Sequence, residues 1–156
     1  MRKEKLHTEL IHTIQNPTCV VMDLDDTLCA PDWNIGWARA DRFKPIEAMV
    51  ELAHMLKGHG YDIVIATARP NISERQTIKW LEKHVPFYSA LFMANASVKA
   101  KAETVKEQQL LAIERNWDIE FWCDDSPFNC DIIQAHGVTC LRPTRNDSYW
   151  FARAAA

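Results

Sequence analysis

Two groups of aspartates each follow directly on an apolar run of the sequence. Asp23, Asp25 and Asp26 come after the first run, and the neighbours Asp124 and Asp125 come after a later one. Carboxylates gathered this closely repel one another unless a positive charge lies among them. A set of oxygen ligands favours Mg²⁺ over Zn²⁺. One acidic pair alone could cap a helix or occupy a turn, but two groups at one edge of a sheet favour a magnesium site.

Apolar runs that predict strands alternate along the chain with segments whose apolar residues recur at helical spacing. These elements determine where in the fold the aspartates lie. Strands are predicted over 19–24, 61–66, 89–94, 119–123 and 138–141. Helices are predicted from Pro45, from the capping-box pattern Ser73 to Gln76, over 101–115 and from Ser126-Pro127. This order predicts an α/β fold, a three-layer α/β/α Rossmann-like sandwich with a mainly parallel sheet of about five strands.

The residues that follow the predicted strands are candidates for binding a ligand or for catalysis. In parallel sheets, ligands bind outside the carboxyl ends of the strands. Thr67 and Arg69 follow the second predicted strand. We therefore expect them to lie close to both groups of aspartates.

Composition predicts one globular domain. The chain has 156 residues, of which 47% are hydrophobic and 25% charged, and its formal net charge is −3. The domain is expected to span residues 1–156, with an N-terminal helix over 1–16 and a C-terminal tail over 143–156. The sequence has no apolar run of the roughly 20 residues that a membrane span needs. Its charge gives no global sign of a nucleic-acid binder.

The cysteines indicate the redox environment. There are five, an odd number, and none of them forms a CxxC pair. This usage argues against both a disulfide framework and a cysteine zinc site. A reducing cytoplasm is the predicted location.

Four segments resemble, in order, the four motifs of the haloacid dehalogenase (HAD) superfamily. VVMDLDDTL (20–28) resembles the first, a hydrophobic strand followed by DxDxT, and IVIAT (63–67) resembles the second. Lys106 can serve as the third, with Lys99 and Lys101 as nearby alternatives, and FWCDD (121–125) resembles the fourth. The resemblance spans most of the chain and implies a HAD-type phosphatase.

The resemblance also implies roles for individual residues. Asp23 would be the nucleophile that forms an aspartyl-phosphate, and Asp25 the general acid and base, with its backbone carbonyl reaching the metal. Thr67 would bind a phosphoryl oxygen, and Lys106 would neutralise phosphate charge.

The metal site is the second part of what the resemblance implies. Asp124 and Asp125 would hold Mg²⁺ together with Asp23. Which of the two is the direct ligand stays open from the sequence.

Further segments resemble the 3′-phosphatase domain of bacteriophage-type polynucleotide kinases. They are ATAR (66–69), LFMANASVKAKAETVK (91–106) and CDDSPFNCDIIQAHGVTCL (123–141). Arg69 would then be a phosphate-contacting arginine. Where those domains carry arginines and an aspartate before the motif-three lysine, this chain has Ala94, Lys99, Lys101 and Ala102. The sequence contains no GxxxxGK[ST] kinase loop.

The insertion after the first motif, residues 29–44, is too short for a full cap domain, so an open site is expected. It contains Trp33, Trp37, Arg39 and Arg42, which could form a rim for base stacking or simply pack the loop onto the sheet. The expected partner is a phosphorylated substrate, either a nucleic-acid end or a nucleotide. Alternatives are a phosphatase for other small molecules and an inactive module that binds phosphate or a protein partner.

Overall fold

The computed structural model describes residues 16–145 and 147. Residues 1–15 of the predicted N-terminal helix and most of the predicted tail over 143–156 lie outside the described residues. Of the helices that the structure describes, none is long and apolar enough to cross a membrane.

The described chain forms a five-stranded parallel sheet with helices on both faces. Its strands are β1 (Thr18–Met22), β4 (Asp62–Pro70), β5 (Ala90–Ala94), β6 (Asp118–Cys123) and β7 (Cys140–Leu141). Its helices are α1 (Glu47–Gly58), α2 (Glu74–His84), α3 (Ala102–Ile113) and α4 (Pro127–Ala135). The strand order is β5-β4-β1-β6-β7, and each neighbouring pair is parallel. The predicted fold class is therefore confirmed, with β1 at the centre of the sheet.

Alternate residues of the central strands face opposite layers of helices. Val20 and Met22 of β1 belong to the core that includes Trp80 of α2. Cys19 and Val21 belong to the opposite core, together with residues of α3 and α4. Side chains alternate across a strand, and both faces of β1 are covered. This double burial explains why the strand reads as one continuous apolar run.

Several predicted boundaries were wrong. Strand β4 continues to Pro70, which pairs with Ala94 of β5, so Thr67 and Arg69 lie within the strand and not after it. Strand β7 is only two residues long. Ser73 makes no side-chain capping hydrogen bond to α2, and its hydroxyl donates to the carbonyl of Pro70 at 2.8 Å.

The segment after β1 is a short closed loop and not a cap domain. Strands β2 (Cys29–Ala30) and β3 (Lys44–Pro45) form a two-residue antiparallel ladder. A 3₁₀ helix over Trp37–Arg42 lies between them. Pro45 therefore lies in β3 and does not begin α1 as predicted. Among the described residues, no element covers the carboxyl edge of the sheet as a separate domain.

Candidate active site

The loop after β1 is a compact turn built around one carbonyl. The backbone N–H groups of Leu28 and Cys29 both donate to the carbonyl of Leu24, at 2.9 Å. Asp26 adopts a left-handed conformation with φ of 58°, which aspartate tolerates better than most residues. The backbone N–H of Asp23 donates to the carbonyl of Cys123 at 2.9 Å. This bond fixes the end of β1 beside the end of β6, where the second acidic pair begins.

A buried lysine links the two groups of aspartates. The Lys106 ammonium lies 2.6 Å from Asp23 Oδ1 and 3.0 Å from Asp124 Oδ2, and it also donates to the carbonyl of Ala66. Lys106 is 1% exposed. The alternatives Lys99 and Lys101 are both exposed. Of the three lysines considered from the sequence, the structure brings Lys106 to the aspartates.

Burial and charge determine the protonation of this group. Burial raises the pKa of Asp23 well above its ordinary value; Lys106 opposes this effect, and the neighbouring Asp124 and Asp125 add to it. Burial acts to lower the pKa of Lys106, but the charges of Asp124 and Asp23 outweigh it and leave that pKa raised. Burial raises the pKa of Asp125 to about 7, with contributions from the charges of Asp124 and Asp26. The negative charge of the site thus exceeds what Lys106 balances.

Hydrogen bonds from the N-terminal end of α4 fix the position of the Asp124 carboxylate. Its Oδ1 accepts hydrogen bonds from the backbone N–H of Ser126 at 3.1 Å and from Asn129 Nδ2 at 2.9 Å. Ser126 caps α4, as predicted, by accepting from the backbone N–H of Asn129. Asn129 had no predicted role. Its position one turn into the helix that follows the acidic pair is the signal that could have found it.

Three aspartates form a group that fits a hard divalent cation. One carboxylate oxygen each from Asp23, Asp124 and Asp125 lie within 4.8 Å of one another, and all three residues are buried. Their oxygen-only donor set and the excess negative charge suit Mg²⁺. The Asp25 carboxylate is outside this group.

Asp25 is bound to Arg69 through two hydrogen bonds. Arg69 Nε donates to Oδ2 at 2.8 Å, and Nη2 donates to Oδ1 at 2.6 Å. Arg69 also donates to Thr77 Oγ1 of α2 at 3.1 Å and to Cys29 Sγ at 3.3 Å. Despite burial, the carboxylate of Asp25 keeps the pKa of Arg69 raised. The structure therefore places the guanidinium of Arg69 on Asp25, a contact that the sequence did not indicate.

Thr67 lies at the same edge of the sheet as Asp23, and two hydrogen bonds fix its position. Its hydroxyl accepts from the backbone N–H of Arg69 at 3.1 Å, and its carbonyl accepts from Gln109 Nε2 at 2.9 Å. Gln109 lies in α3, three residues after Lys106, and had no predicted role. The hydroxyl hydrogen of Thr67 is available for donation to an anion, because the hydroxyl acts as acceptor toward Arg69.

A cavity of about 410 Å³ brings these side chains together. It is lined by Asp23, Asp25, Asp26, Thr67, Arg69, Lys106, Asp125, Asn129 and others. Asp125 lines the cavity, whereas Asp124 is fully buried behind it. Trp33 and Trp37 also line it, and they are 59% and 37% exposed. The cavity therefore has a charged, buried base and an aromatic mouth.

Comparison with known proteins gives one family. The sequence model of the polynucleotide kinase PNKP phosphatase domain matches residues 17–147. The sequence has no match among curated proteins.

Solved structures share the fold. One chain in the structure of the Pnkp1/Rnl/Hen1 RNA repair complex is 24% identical, with a TM-score of 0.77 over 94% of this chain and 48% of that chain. A second structure of the Pnkp1/Rnl/Hen1 complex gives 24% identity and a TM-score of 0.76, over 85% and 47% of the two chains. The present chain thus spans about half the length of these relatives.

A class C acid phosphatase also shares the fold. The class C acid phosphatase from Bacillus anthracis with tungstate bound is 17% identical, with a TM-score of 0.60 over 79% of this chain and 61% of that chain. At these identities, the structural matches show the fold, while the family match covers most of the sequence. The chain belongs to the family of polynucleotide kinase PNKP phosphatase domains and is a HAD-type phosphatase.

Proposed function

We propose that this protein is a Mg²⁺-dependent phosphohydrolase that cleaves a phosphomonoester through an aspartyl-phosphate on Asp23, with a polynucleotide 3′-phosphate as its substrate. The observation that carries the proposal is the contact of Lys106 with Asp23 and Asp124 in a cavity that Asp25 and Thr67 also line.

Asp23 is the proposed nucleophile. A carboxylate oxygen of Asp23 forms a bond to phosphorus while the bond between phosphorus and the ester oxygen breaks, which divides one hydrolysis into two displacements. Lys106 favours the carboxylate form of Asp23 against the effect of burial. Lys106 and the hydroxyl of Thr67 then stabilise the charge on the phosphoryl oxygens.

Asp25 is the proposed proton carrier. It gives a proton to the departing ester oxygen in the first step. In the second step it takes a proton from the water that attacks the aspartyl-phosphate, which restores both residues. Because the guanidinium of Arg69 binds both oxygens of Asp25, we assign Arg69 as a positioning residue for Asp25, in place of the phosphate contact expected from the sequence.

The proposed metal ligands are Asp23, Asp125 and the backbone carbonyl of Asp25, with Asp124 behind them. Asp125 is the better direct ligand of the acidic pair, because it lines the cavity while both oxygens of Asp124 have protein contacts. When bound, Mg²⁺ would supply positive charge beside the nucleophile and the phosphate.

Family membership supports a polynucleotide end as the substrate. A second candidate is a nucleotide or another small phosphate ester, which the size of the cavity, about 410 Å³, favours. The third alternative, an inactive binding module, is disfavoured because all the residues of the proposed reaction line or adjoin one cavity. The five buried free thiols support a cytoplasmic location.

A panel of substrates tests the proposal. We expect Mg²⁺-dependent release of phosphate, fastest from 3′-phosphorylated oligonucleotides and slower from 5′-phosphorylated oligonucleotides, free nucleotides and sugar phosphates. Equal or faster turnover of free nucleotides would select the second candidate. If no ester is hydrolysed and no phosphoenzyme analogue forms with beryllium fluoride, the protein is a binding module. Asp23→Asn is the control for contaminating phosphatases.

A further inference from the structure

A second groove continues from the mouth of the active-site cavity. It has a volume of about 570 Å³ and shares Trp37, Ala68 and Ala102 with that cavity. Its charged lining residues are Lys99 and Lys101, and none of the described residues that line it is acidic. A groove that begins at the active site and carries only positive charge suits a polyanion that extends from the site.

Trp37 lines both the groove and the cavity, and Trp33 lines the cavity next to it. The rings of Trp33 and Trp37 pack edge to face, with centroids 5.9 Å apart and planes 76° apart. The Trp33 ring also packs edge to face on Phe43, whose centroid is 6.1 Å away. These contacts fix the rings without burying them, since Trp33 stays 59% exposed and Trp37 37% exposed. By contrast, Trp80 and Trp122 are fully buried, so Trp33 and Trp37 keep open ring area that the packing of the loop does not use.

We propose that this groove binds the single-stranded segment that precedes the terminal phosphate of a nucleic acid. The terminal base stacks on the Trp33–Trp37 pair, and the next two backbone phosphates lie at Lys99 and Lys101. The inference rests on the proposed function, because it requires the terminal phosphate to occupy the cavity of Asp23.

The chemistry of the groove favours a nucleic acid over a phosphorylated protein. Exposed aromatic rings beside lysines are the usual means of binding single strands, since every base has a face that can stack and every linkage has a charge. The rest of the lining is largely alanine, valine and proline. Such side chains cannot hydrogen-bond to base edges. Asn95 is the lining residue with a side-chain amide, so the groove should contact mainly the phosphates and the stacked base, with little preference for sequence.

Binding measured without turnover tests the groove separately from catalysis. The probes are 5′-fluorescein oligothymidylates of one to six nucleotides with a 3′-phosphate, titrated by fluorescence anisotropy against the full chain carrying Asp23→Asn. We expect affinity to rise about tenfold between one and three nucleotides, and Trp37→Ala to lower the affinity for the hexamer about tenfold. The double variant Lys99→Ala/Lys101→Ala should reduce the slope of log K against log salt by about 0.7 for each lysine.

Matched controls lie outside both cavities. Met55 on α1 is 53% exposed, and Lys83 in the last turn of α2 is also exposed. Met55→Ala and Lys83→Ala should bind like the parent; an equal loss in these controls would overturn the assignment. Should Trp37→Ala fail to fold, as judged by circular dichroism, Trp37→Phe keeps a smaller ring and should retain part of the affinity.

Other outcomes would overturn the inference. They are an affinity that does not depend on length, Trp37 variants that bind the hexamer like the parent, or an unchanged salt slope. Equal binding of a blunt duplex end would overturn the single-stranded assignment, and tighter binding of a phosphopeptide would overturn the nucleic-acid assignment. Length-dependent binding in a wild-type protein that hydrolyses no phosphomonoester would instead reject the proposed function and leave the groove assignment intact.

Discussion

The base and the rim of the active-site cavity differ in burial and in charge pairing. The base consists of Asp23, Arg69, Lys106 and Asp124, all at most 6% exposed and all in ion pairs with a carboxylate or a cation. The rim consists of Trp33 and Trp37, which continue into the groove of Lys99 and Lys101, and all four residues are exposed. Buried charges depend on their partners, and removal of one partner leaves a costly unpaired charge. The base is therefore rigid and suited to chemistry, while the rim is free to vary and suited to substrate choice.

The largest effect should come from the nucleophile. Asp23→Asn removes the oxygen nucleophile while keeping the shape of the side chain, and we expect turnover of an aryl phosphate to fall about 10⁴-fold or more. A thermal denaturation curve should show that the variant remains folded. Turnover within tenfold of wild type would remove Asp23 from the proposed mechanism.

Lys106→Met should affect both stability and activity. It leaves Asp23 and Asp124 buried without their cation, which costs about 3–5 kcal/mol in the free energy of unfolding. Loss of the charge facing the phosphate should lower kcat about 10²- to 10³-fold. Urea denaturation and steady-state kinetics measure the two effects. Lys101→Met, an exposed lysine just before α3, is the control and should change stability by less than about 0.5 kcal/mol.

Arg69→Lys tests whether this residue positions Asp25 or binds phosphate. Lysine keeps the charge but cannot donate two parallel hydrogen bonds to one carboxylate. We expect kcat to fall about 10- to 100-fold with KM and the inhibition constant of inorganic phosphate nearly unchanged. A rise in both constants with kcat unchanged would instead make Arg69 a phosphate ligand.

Magnesium should stabilise the protein in a pH-dependent way. With a pKa of about 7 in the folded chain, Asp125 keeps its proton where the unfolded chain has lost it, so the stability of the metal-free protein falls as pH rises from about 4 to about 7. Mg²⁺ requires the carboxylate, so its binding competes with that proton. At 100 times its dissociation constant, Mg²⁺ should add about 2.7 kcal/mol, and its effect should be larger near pH 8 than near pH 5.5.

Melting curves with and without Mg²⁺ at both pH values measure this effect. Asp125→Asn is the control, and it should reduce both the Mg²⁺ stabilisation and the pH dependence. An equal Mg²⁺ effect at the two pH values would contradict the assignment of Asp125.

The smallest effect should come from the rim. Trp33→Ala should change the free energy of unfolding by less than about 0.5 kcal/mol. In contrast, Trp80 is fully buried and donates from Nε1 to the carbonyl of Phe43 at 2.7 Å, so Trp80→Phe should cost about 1–3 kcal/mol by leaving that carbonyl unpaired. Urea denaturation compares the two variants. Equal losses would mean that the rim also supports the fold.

The sequence predicted the features that depend on the periodicity of apolar residues. It did not predict those that depend on contacts between residues far apart in the chain. The order of strands and helices followed from apolar runs and helical spacing, and the resemblance to the HAD motifs favoured Lys106, with Lys99 and Lys101 as alternatives. The roles of Gln109 and Asn129 did not follow, because polar residues on a helix read as a solvated face. In α3, the buried face includes Lys106 and Gln109 beside Leu110 and Ile113. Only the packing of α3 against β4 shows that these polar groups face the site.

Arg69 illustrates a second limit. A local pattern places it near the phosphate site, but its two bonds to Asp25 join residues 44 positions apart. The extension of β4 to Pro70, which depends on pairing with β5, brings Arg69 to that position. Contacts of this range depend on tertiary structure and leave no local trace in the sequence.

The two-residue ladder of β2 and β3 bears on how this protein could be redesigned. It holds the two ends of residues 31–43 side by side, so the separation of those ends does not depend on what lies between them. Ala40 and Phe43 of this segment are buried in the core, whereas residues 31–39 are partly or largely exposed. Exposed loops with fixed ends tolerate changes in length at little energetic cost. Exchange of residues 31–39 for other loops should change which phosphate esters reach the cavity, which makes the domain a practical scaffold for engineered phosphatases.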